Sequence, residues 1–359
     1  AEHLGASPAQ IVRTRRVHFA RRLLDETALP VTRIAFEAGF GSLRAFHTAY
    51  KESFGEPPKA SRAAETPKEA GRLLTLRLPY RPPFDWNAIL GFLAARAVPG
   101  IEEVVDGAYR RTFAGTTLSV RPAASGFALA LSLTPPGEGR LLGIVRTVSR
   151  VFDLGADPET LRRHFESDAV LGPLVAKRPG LRVPGAFSRF ELLVRAVLGQ
   201  QVSVAAARTF AGRIVARWGT PLPGAESALT HAFPEAPVLA ALAPADLASI
   251  GLTTRRAETL RAVARAFADG ALPEESPGLD ELVERLTELP GIGPWTAQYM
   301  ALRAWNEPDA FPTGDLGLLA ALAKDGVRPG AKELEARAEA WRPFRAYAAL
   351  HLWTEGAPE

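Results

Sequence analysis

The spacing of apolar residues changes along the chain, and the changes divide it into three regions. From Leu29 to Phe54 apolar positions recur at helical intervals. Ile34, Ala35 and Ala38 mark one helix, Gly39-Phe40-Gly41 interrupts it, and Leu43, Phe46, Tyr50 and Phe54 form the buried stripe of a second. Gly39 suits a left-handed helix closure and Ser42 an N-cap. The opposite face carries Arg44, His47, Thr48 and Lys51, groups able to reach phosphates or base edges. A short helix, a glycine turn and a second helix with polar outward residues is the plan of a helix-turn-helix, with Ser42 among the residues expected near DNA.

A Pro-, Lys- and Glu-rich stretch, Glu56 to Glu69, then reads as a linker. Beyond Arg72 the period falls to two. Leu74 to Leu78 alternates as a strand, and Thr117–Arg121 and Phe127–Leu131 flank an Ala-Ala-Ser-Gly turn, a hairpin pattern. Asp85 to Ala97 is helical between them, so the region predicts an α+β domain with an antiparallel sheet. From Pro184 the strand signal vanishes. Phe190 to Trp218 reads as one long amphipathic helix, and further helices follow between breaks at Pro221-Leu222-Pro223, Pro273 and Pro290-Gly291. The expected domains are residues 1–65, 72–183 and 184–359, in a multidomain chain that is partly α+β and mainly α.

Composition narrows the function. At 359 residues the chain is long enough for two or three domains, and 47% hydrophobic with 23% charged residues suits folded domains. No apolar run approaches the roughly 18 residues of a membrane span, and no signal-peptide pattern opens the chain. There is no cysteine, which excludes disulfides, thiolate metal sites, a cysteine nucleophile and a cysteine-held iron–sulfur cluster, and is compatible with a reducing compartment. The net charge of +4 resides in residues 1–72, which hold twelve Lys/Arg against eight Asp/Glu. That is a modest nucleic-acid signal, equally compatible with a solvated helix face. The chain starts at Ala1 and its one methionine is Met300, so natural residues are expected to precede it.

The most informative segment is Leu286-Thr287-Glu288-Leu289-Pro290-Gly291-Ile292-Gly293-Pro294-Trp295-Thr296-Ala297. Two glycines, spaced two apart between helical stretches, allow a tight turn whose following helix presents free amides. Such amides bind a phosphate oxygen without reading a base. Pro-Gly-X-Gly alone is a common turn. An acid follows in Phe311-Pro312-Thr313-Gly314-Asp315, twenty residues beyond Trp295. Read alone, Asp315 also suits a helix cap after Gly314, and Trp295, Tyr299 and Trp353 also suit core packing.

Two resemblances sharpen these readings. Ile34 to Ser42, with Phe46 and Phe54-Gly55-Glu56-Pro57-Pro58, resembles the second helix-turn-helix of AraC-type regulators; that family carries two such units, so a scaffold remnant is the competing reading. The Gly/Pro hairpin with its following Asp, together with Phe190 to Ser203 and Trp341 to Trp353, resembles the helix–hairpin–helix DNA glycosylases. Within them it is similar to the AlkA-type alkylbase glycosylases (DNA-3-methyladenine glycosylase II), over roughly residues 72–359. The joint layout resembles Ada–AlkA fusions, in which a zinc-binding Cys domain normally precedes the helix-turn-helix.

The resemblance implies roles. Asp315 would stabilise the oxocarbenium-like sugar and orient water. Trp295, Tyr299 and Trp353 would stack a flipped, electron-poor base, with Leu316 in the pocket where relatives often have an aromatic residue. Gln200 and Gln201 would fill the gap left in the duplex, Gln201 standing where an apolar wedge is common. Gly291, Gly293, Pro294, Trp295 and Thr296 would bind phosphate, and the carbonyls of Thr287, Leu289 and Ile292 would hold Na+ or K+, with no cofactor needed for catalysis. Lyase relatives carry a Lys at the position of Trp295, and no Lys lies between Ala271 and Asp315. The expectation is a monofunctional, monomeric glycosylase. It would act on 3-methyladenine- and 7-methylguanine-type lesions in double-stranded DNA, in the cytoplasm at the nucleoid and away from membranes. The alternative is a catalytically inactive DNA-binding or regulatory protein of the alkylation response.

Overall fold

The structure, a computed structural model, describes residues 7–62, 73–134, 140–223, 227–323 and 327–356. Residues 63–69 of the expected linker and Arg72, the expected start of the sheet region, lie outside them. The chain divides into two compact units, Ala1–Pro79 with Arg110–Val148, and Tyr80–Tyr109 with Ser149–Glu359. These differ from the ranges expected along the sequence. Residues 80–109 and 149–183 of the anticipated sheet domain belong to the helical unit, because their helices pack on its core.

In the first unit, α1 (Pro8–Glu26) starts from a Ser7–Gln10 capping box and buries Val17, Phe19, Ala20, Leu23 and Leu24. Helix α2 (Val31–Glu37) ends at Gly39, whose φ of 85° closes it, and α3 (Leu43–Phe54) is capped by the Ser42 side chain accepting from the Ala45 amide. Phe46, Ala49 and Tyr50 are buried, Leu43 and Phe54 are half-buried, and Arg44, His47, Thr48 and Lys51 are exposed, as the stripe predicts.

The sheet comprises β1 (Leu74–Pro79), β2 (Glu102–Val105), β3 (Ala108–Phe113), β4 (Thr116–Pro122) and β5 (Ala128–Thr134), in the order β1-β5-β4-β3-β2. Strand β5 pairs antiparallel with both β1 and β4, setting Leu133 opposite Leu74 and Leu118, so that the leucines of all three share one buried face. The helix-turn-helix is docked on this sheet rather than tethered to it. The Arg77 amide donates to Glu26 Oε2 at 3.0 Å, and the Arg22 guanidinium donates to the Arg77 carbonyl. The buried Glu37 carboxylate pairs with Arg33 and accepts the Leu141 amide at 3.0 Å, at the start of α5 (Leu141–Val151).

The second unit is mainly helical, and also holds β2 and the first residues of β3. It holds α4 (Trp86–Arg96), α6 (Pro158–Phe165), α7 (Leu171–Lys177), α8 (Arg189–Gly199), α9 (Val204–Trp218), α10 (Ala236–Ala241), α11 (Pro244–Ala248), α12 (Thr254–Ala268), α13 (Leu279–Thr287), α14 (Pro294–Ala304), α15 (Leu316–Ala321), α16 (Ala331–Ala338) and α17 (Arg345–Glu355). Helix α8 buries Phe190 to Val194, Val197 and Leu198, so it runs through the core with neighbours on most sides. The single helix expected over Phe190–Trp218 is broken. Gly199 ends α8, Gln201 takes a left-handed φ of 57°, and Ser203 caps α9 by accepting the Ala206 amide. The apolar period runs on across the break, which hid it. Among the described residues no helix is long and apolar enough to cross a membrane.

Candidate active site

The turn between α13 and α14 is built on two glycines with different tasks. Gly291 has φ 82°, and a Cβ there would lie 2.2 Å from Thr259 Oγ1 of α12, so no other residue fits. Gly293 is the N-cap of α14 and has open space around it. Pro294 carries no amide hydrogen, and the first helical bond runs from Ala297 to the Gly293 carbonyl at 3.0 Å. That leaves the Trp295 and Thr296 amides in the open first turn. Gly291, Gly293, Pro294 and Trp295 are exposed, whereas the Thr296 side chain is buried and only its main chain can serve an anion.

Asp315 caps α15, its Oδ1 accepting the amides of Gly317 (2.9 Å) and Leu318 (3.0 Å). The same oxygen accepts Trp353 Nε1 at 2.8 Å from α17, and Oδ2 accepts Trp295 Nε1 at 3.0 Å from α14. Cap and site are therefore one group. The Trp295 and Tyr299 rings, one helical turn apart, stack at 5.3 Å between centroids with planes 7° apart.

The stack continues inward through charge. Tyr299 Oη accepts from Arg303 Nη1 at 2.7 Å, and Arg303 is anchored on the carbonyls of Pro184 (2.7 Å) and Gly185 (3.0 Å). The guanidinium carbons of Arg96 and Arg303 lie 3.8 and 4.7 Å from the Phe92 ring centroid. Burial pushes the Tyr299 phenol up, but Arg303 and Arg96 outweigh it and hold the phenol below the ordinary tyrosine value. Burial also lowers the Arg96 guanidinium, opposed by its attraction to Tyr299.

Asp315, Trp295, Tyr299 and Trp353 line one cavity of about 1070 Å³. Leu316 does not: it is 70% exposed, and the residue that α15 buries is Leu318. Gln200 and Gln201 are not lining residues either, although Gly199, Val202, Ser203 and Val204 of the same loop are. Phe92, Arg96 and Arg303 went unremarked in the sequence. Arg303 had a signal, since 295, 299 and 303 fall on one helix face; Phe92 and Arg96 come from α4, far away in the chain. In the hairpin, the Leu289 carbonyl accepts the Ile292 amide at 3.0 Å, and Thr287 is the last residue of α13. Among the described residues no group of three His, Cys, Asp or Glu could hold a metal ion.

Comparison with known proteins places this geometry. Residues 194–346 match the HhH-GPD superfamily of base excision DNA repair proteins, residues 75–188 the AlkA N-terminal domain, and residues 1–64 a helix-turn-helix domain. A probable bifunctional transcriptional activator/DNA repair enzyme AlkA of Mycobacterium tuberculosis is 40% identical over 362 residues, covering 98% of this chain and 72% of that protein. DNA-3-methyladenine glycosylase 2 of Escherichia coli is 38% identical over 286 residues, 78% of this chain and 97% of the relative. The chain belongs to the AlkA family. A 3-methyladenine DNA-glycosylase from Archaeoglobus fulgidus shares the fold, with a TM-score of 0.68 at 24% identity over 78% of this chain and 97% of its own. As an AlkA-family member the chain is a base excision repair DNA glycosylase, and its relatives do not favour the reading of a fold that has lost catalysis.

Proposed function

We propose that this AlkA-family glycosylase hydrolyses the N-glycosidic bond of alkylated bases, of the 3-methyladenine and 7-methylguanine type, in duplex DNA. It acts as a monomer in the cytoplasm at the nucleoid, and leaves an abasic site without cutting the strand. The observation that carries this is the Asp315 carboxylate, held between the indole N–H groups of Trp295 and Trp353 beside the Trp295–Tyr299 stack.

The chemistry follows from charge. An alkylated purine carrying a formal positive charge leaves as a neutral molecule when the C1′–N bond breaks and its electron pair stays with the base. The positive charge then develops on the sugar, where a carboxylate fixed by four N–H donors stabilises it with little reorganisation. Water forms the new bond to C1′, its proton passing to the Asp315 carboxylate or onward to solvent. Before that the base must leave the stack, and an indole face offers a cationic ring about 0.5–2 kcal/mol of cation–π attraction. The open first turn of α14 suits a backbone phosphate. The carbonyls of Thr287, Leu289 and Ile292 would hold Na+ or K+ there; Thr287 ends its helix, and the Leu289 oxygen has a second lone pair beyond its bond to Ile292. In the first unit, Arg44, His47, Thr48 and Lys51 would touch DNA, while Ser42 is engaged as a cap.

The test is release of 3-methyladenine or 7-methylguanine from methylated duplex DNA by the parent and by Asp315→Asn. The parent should free the base and leave the strand intact until alkali is added. The variant should be slower by on the order of 100-fold or more. Equal rates would remove Asp315 from the mechanism.

A further inference from the structure

The loop between α8 and α9 lines the cavity, yet its central residue, Gln201, holds a left-handed backbone that a residue with a side chain keeps only when its surroundings impose it. Its neighbour Gln200 is tied down through both main chain and side chain. The Gln200 carbonyl accepts a hydrogen bond from the Arg256 guanidinium of α12, and the Gln200 side-chain amide donates to the Gly291 carbonyl at 2.9 Å. Gly291 is itself pressed against Thr259, which stands three residues from Arg256 on the same helix. Loop, hairpin and α12 therefore meet at one residue, Gln200, whose carbonyl holds α12 and whose side chain holds the hairpin.

We propose that Gln200 is a positioning residue that keeps the loop facing the vacated base position in register with the hairpin that grips the strand. Its amide is committed to Gly291, so Gln200 is the strut rather than the gap filler. That leaves the exposed Gln201 to enter the duplex. The coupling has a purpose in the proposed glycosylase reaction, on which this inference rests. Unstacking a paired base costs a few kcal/mol, and a loop that moves freely relative to the gripped backbone cannot hold the strand open against that cost. Chemistry at Asp315, which Gln200 does not touch, should depend on it much less.

The experiment compares single-turnover excision of 1,N6-ethenoadenine and of hypoxanthine from two duplexes, one with the lesion paired opposite thymine, the other with it in a single-nucleotide bulge. Gln200→Ala should slow excision about tenfold in the paired duplex, and less than about threefold in the bulge, where little unstacking is left to do. Gln200→Glu, which keeps the length but loses the donor, should behave like the alanine variant. Arg256→Ala gives an independent arm if changes at Gln200 prevent folding, and should show the same selective loss. Equal losses on both duplexes, or none on either, would overturn the role assigned to Gln200. A parent protein inactive on both duplexes and on methylated DNA would instead sink the glycosylase reading beneath it.

Discussion

Two helix–glycine–helix turns in this molecule look alike in sequence and differ in what they leave open. Gly39 between α2 and α3 and Gly291 between α13 and α14 have nearly the same backbone, φ 85° and 82°. In the first turn the next helix starts at Ser42, whose hydroxyl accepts an amide of its own first turn at 3.2 Å. In the second it starts at Gly293, which has no side chain to spend. A capped start satisfies itself and leaves recognition to side chains on the helix's outer face. An uncapped start keeps its amides for a ligand, and suits a group that every DNA sequence offers. Cap chemistry thus separates a turn that leaves only side chains available, as the proposed reading of bases needs, from one that leaves amides available, as the proposed grip on backbone needs.

The largest test of that contrast is at the glycines themselves. Gly291→Ala meets both the left-handed backbone and Thr259, and should cost roughly 3 kcal/mol. Gly39→Ala meets the same backbone but no contact tighter than the flexible end of Arg16 at 3.3 Å, with Leu142 Cδ2 at an ordinary 3.6 Å, and should cost about 1–2 kcal/mol. Equal losses in denaturant unfolding would show that the two turns are constrained alike.

Acid offers a second way to separate the regions, since His351 and Asp153 both lie in the second unit. Burial, helped by the charge of Arg178, holds the His351 imidazole down at about 4. That contribution to stability is intact above about 6.5 and is lost as pH falls toward 4, roughly 3 kcal/mol in total. Asp153 runs the other way. Burial pushes it up to about 6 against the opposing pull of Tyr347, Arg182 and the Val183 amide, so its contribution is complete near pH 4 and lost as pH rises through 6. The two nearly offset in the parent. Asp153→Asn should expose the histidine slope, the unfolding free energy falling by about 2–3 kcal/mol between pH 6.5 and 4. A slope matching the parent's would show that burial does not set these two groups.

The smallest effects sharpen the cap argument. Gly293→Asp should weaken binding to duplex DNA about tenfold by placing a carboxylate at the proposed phosphate position. Gly293→Ser should weaken it less while gaining a few tenths of a kcal/mol for α14, and Ser42→Gly should cost α3 only a similar amount. A Gly293→Ser protein that binds DNA as tightly as the parent would refute the open-amide account.

Much of this was legible along the chain, for definite reasons. The helix-turn-helix and the β4–β5 hairpin showed because each buries one face of a regular period. The Gly291–Gly293 turn showed because its geometry admits few residues. The break at Gln200–Ser203 did not, since the apolar period continues through it in a helix buried on most sides. Leu316 is expected in the pocket by analogy of position, but α15 buries Leu318 and leaves Leu316 70% exposed. Phe92 and Arg96 reach the cavity from a helix that sequence order assigns to another domain, and no local pattern records such a contact.

The docking of α1 on β1 has a consequence for the solubility of the whole chain. Strand β1 lies at the margin of its sheet, with a row of main-chain groups that another chain could adopt as a template. Glu26 takes the amide of Arg77 and Arg22 takes its carbonyl, so the leading helix acts as a selvedge along that margin. A protein cut back to residue 73 would keep every group around Asp315 and lose this border, leaving a strand free to recruit copies of itself.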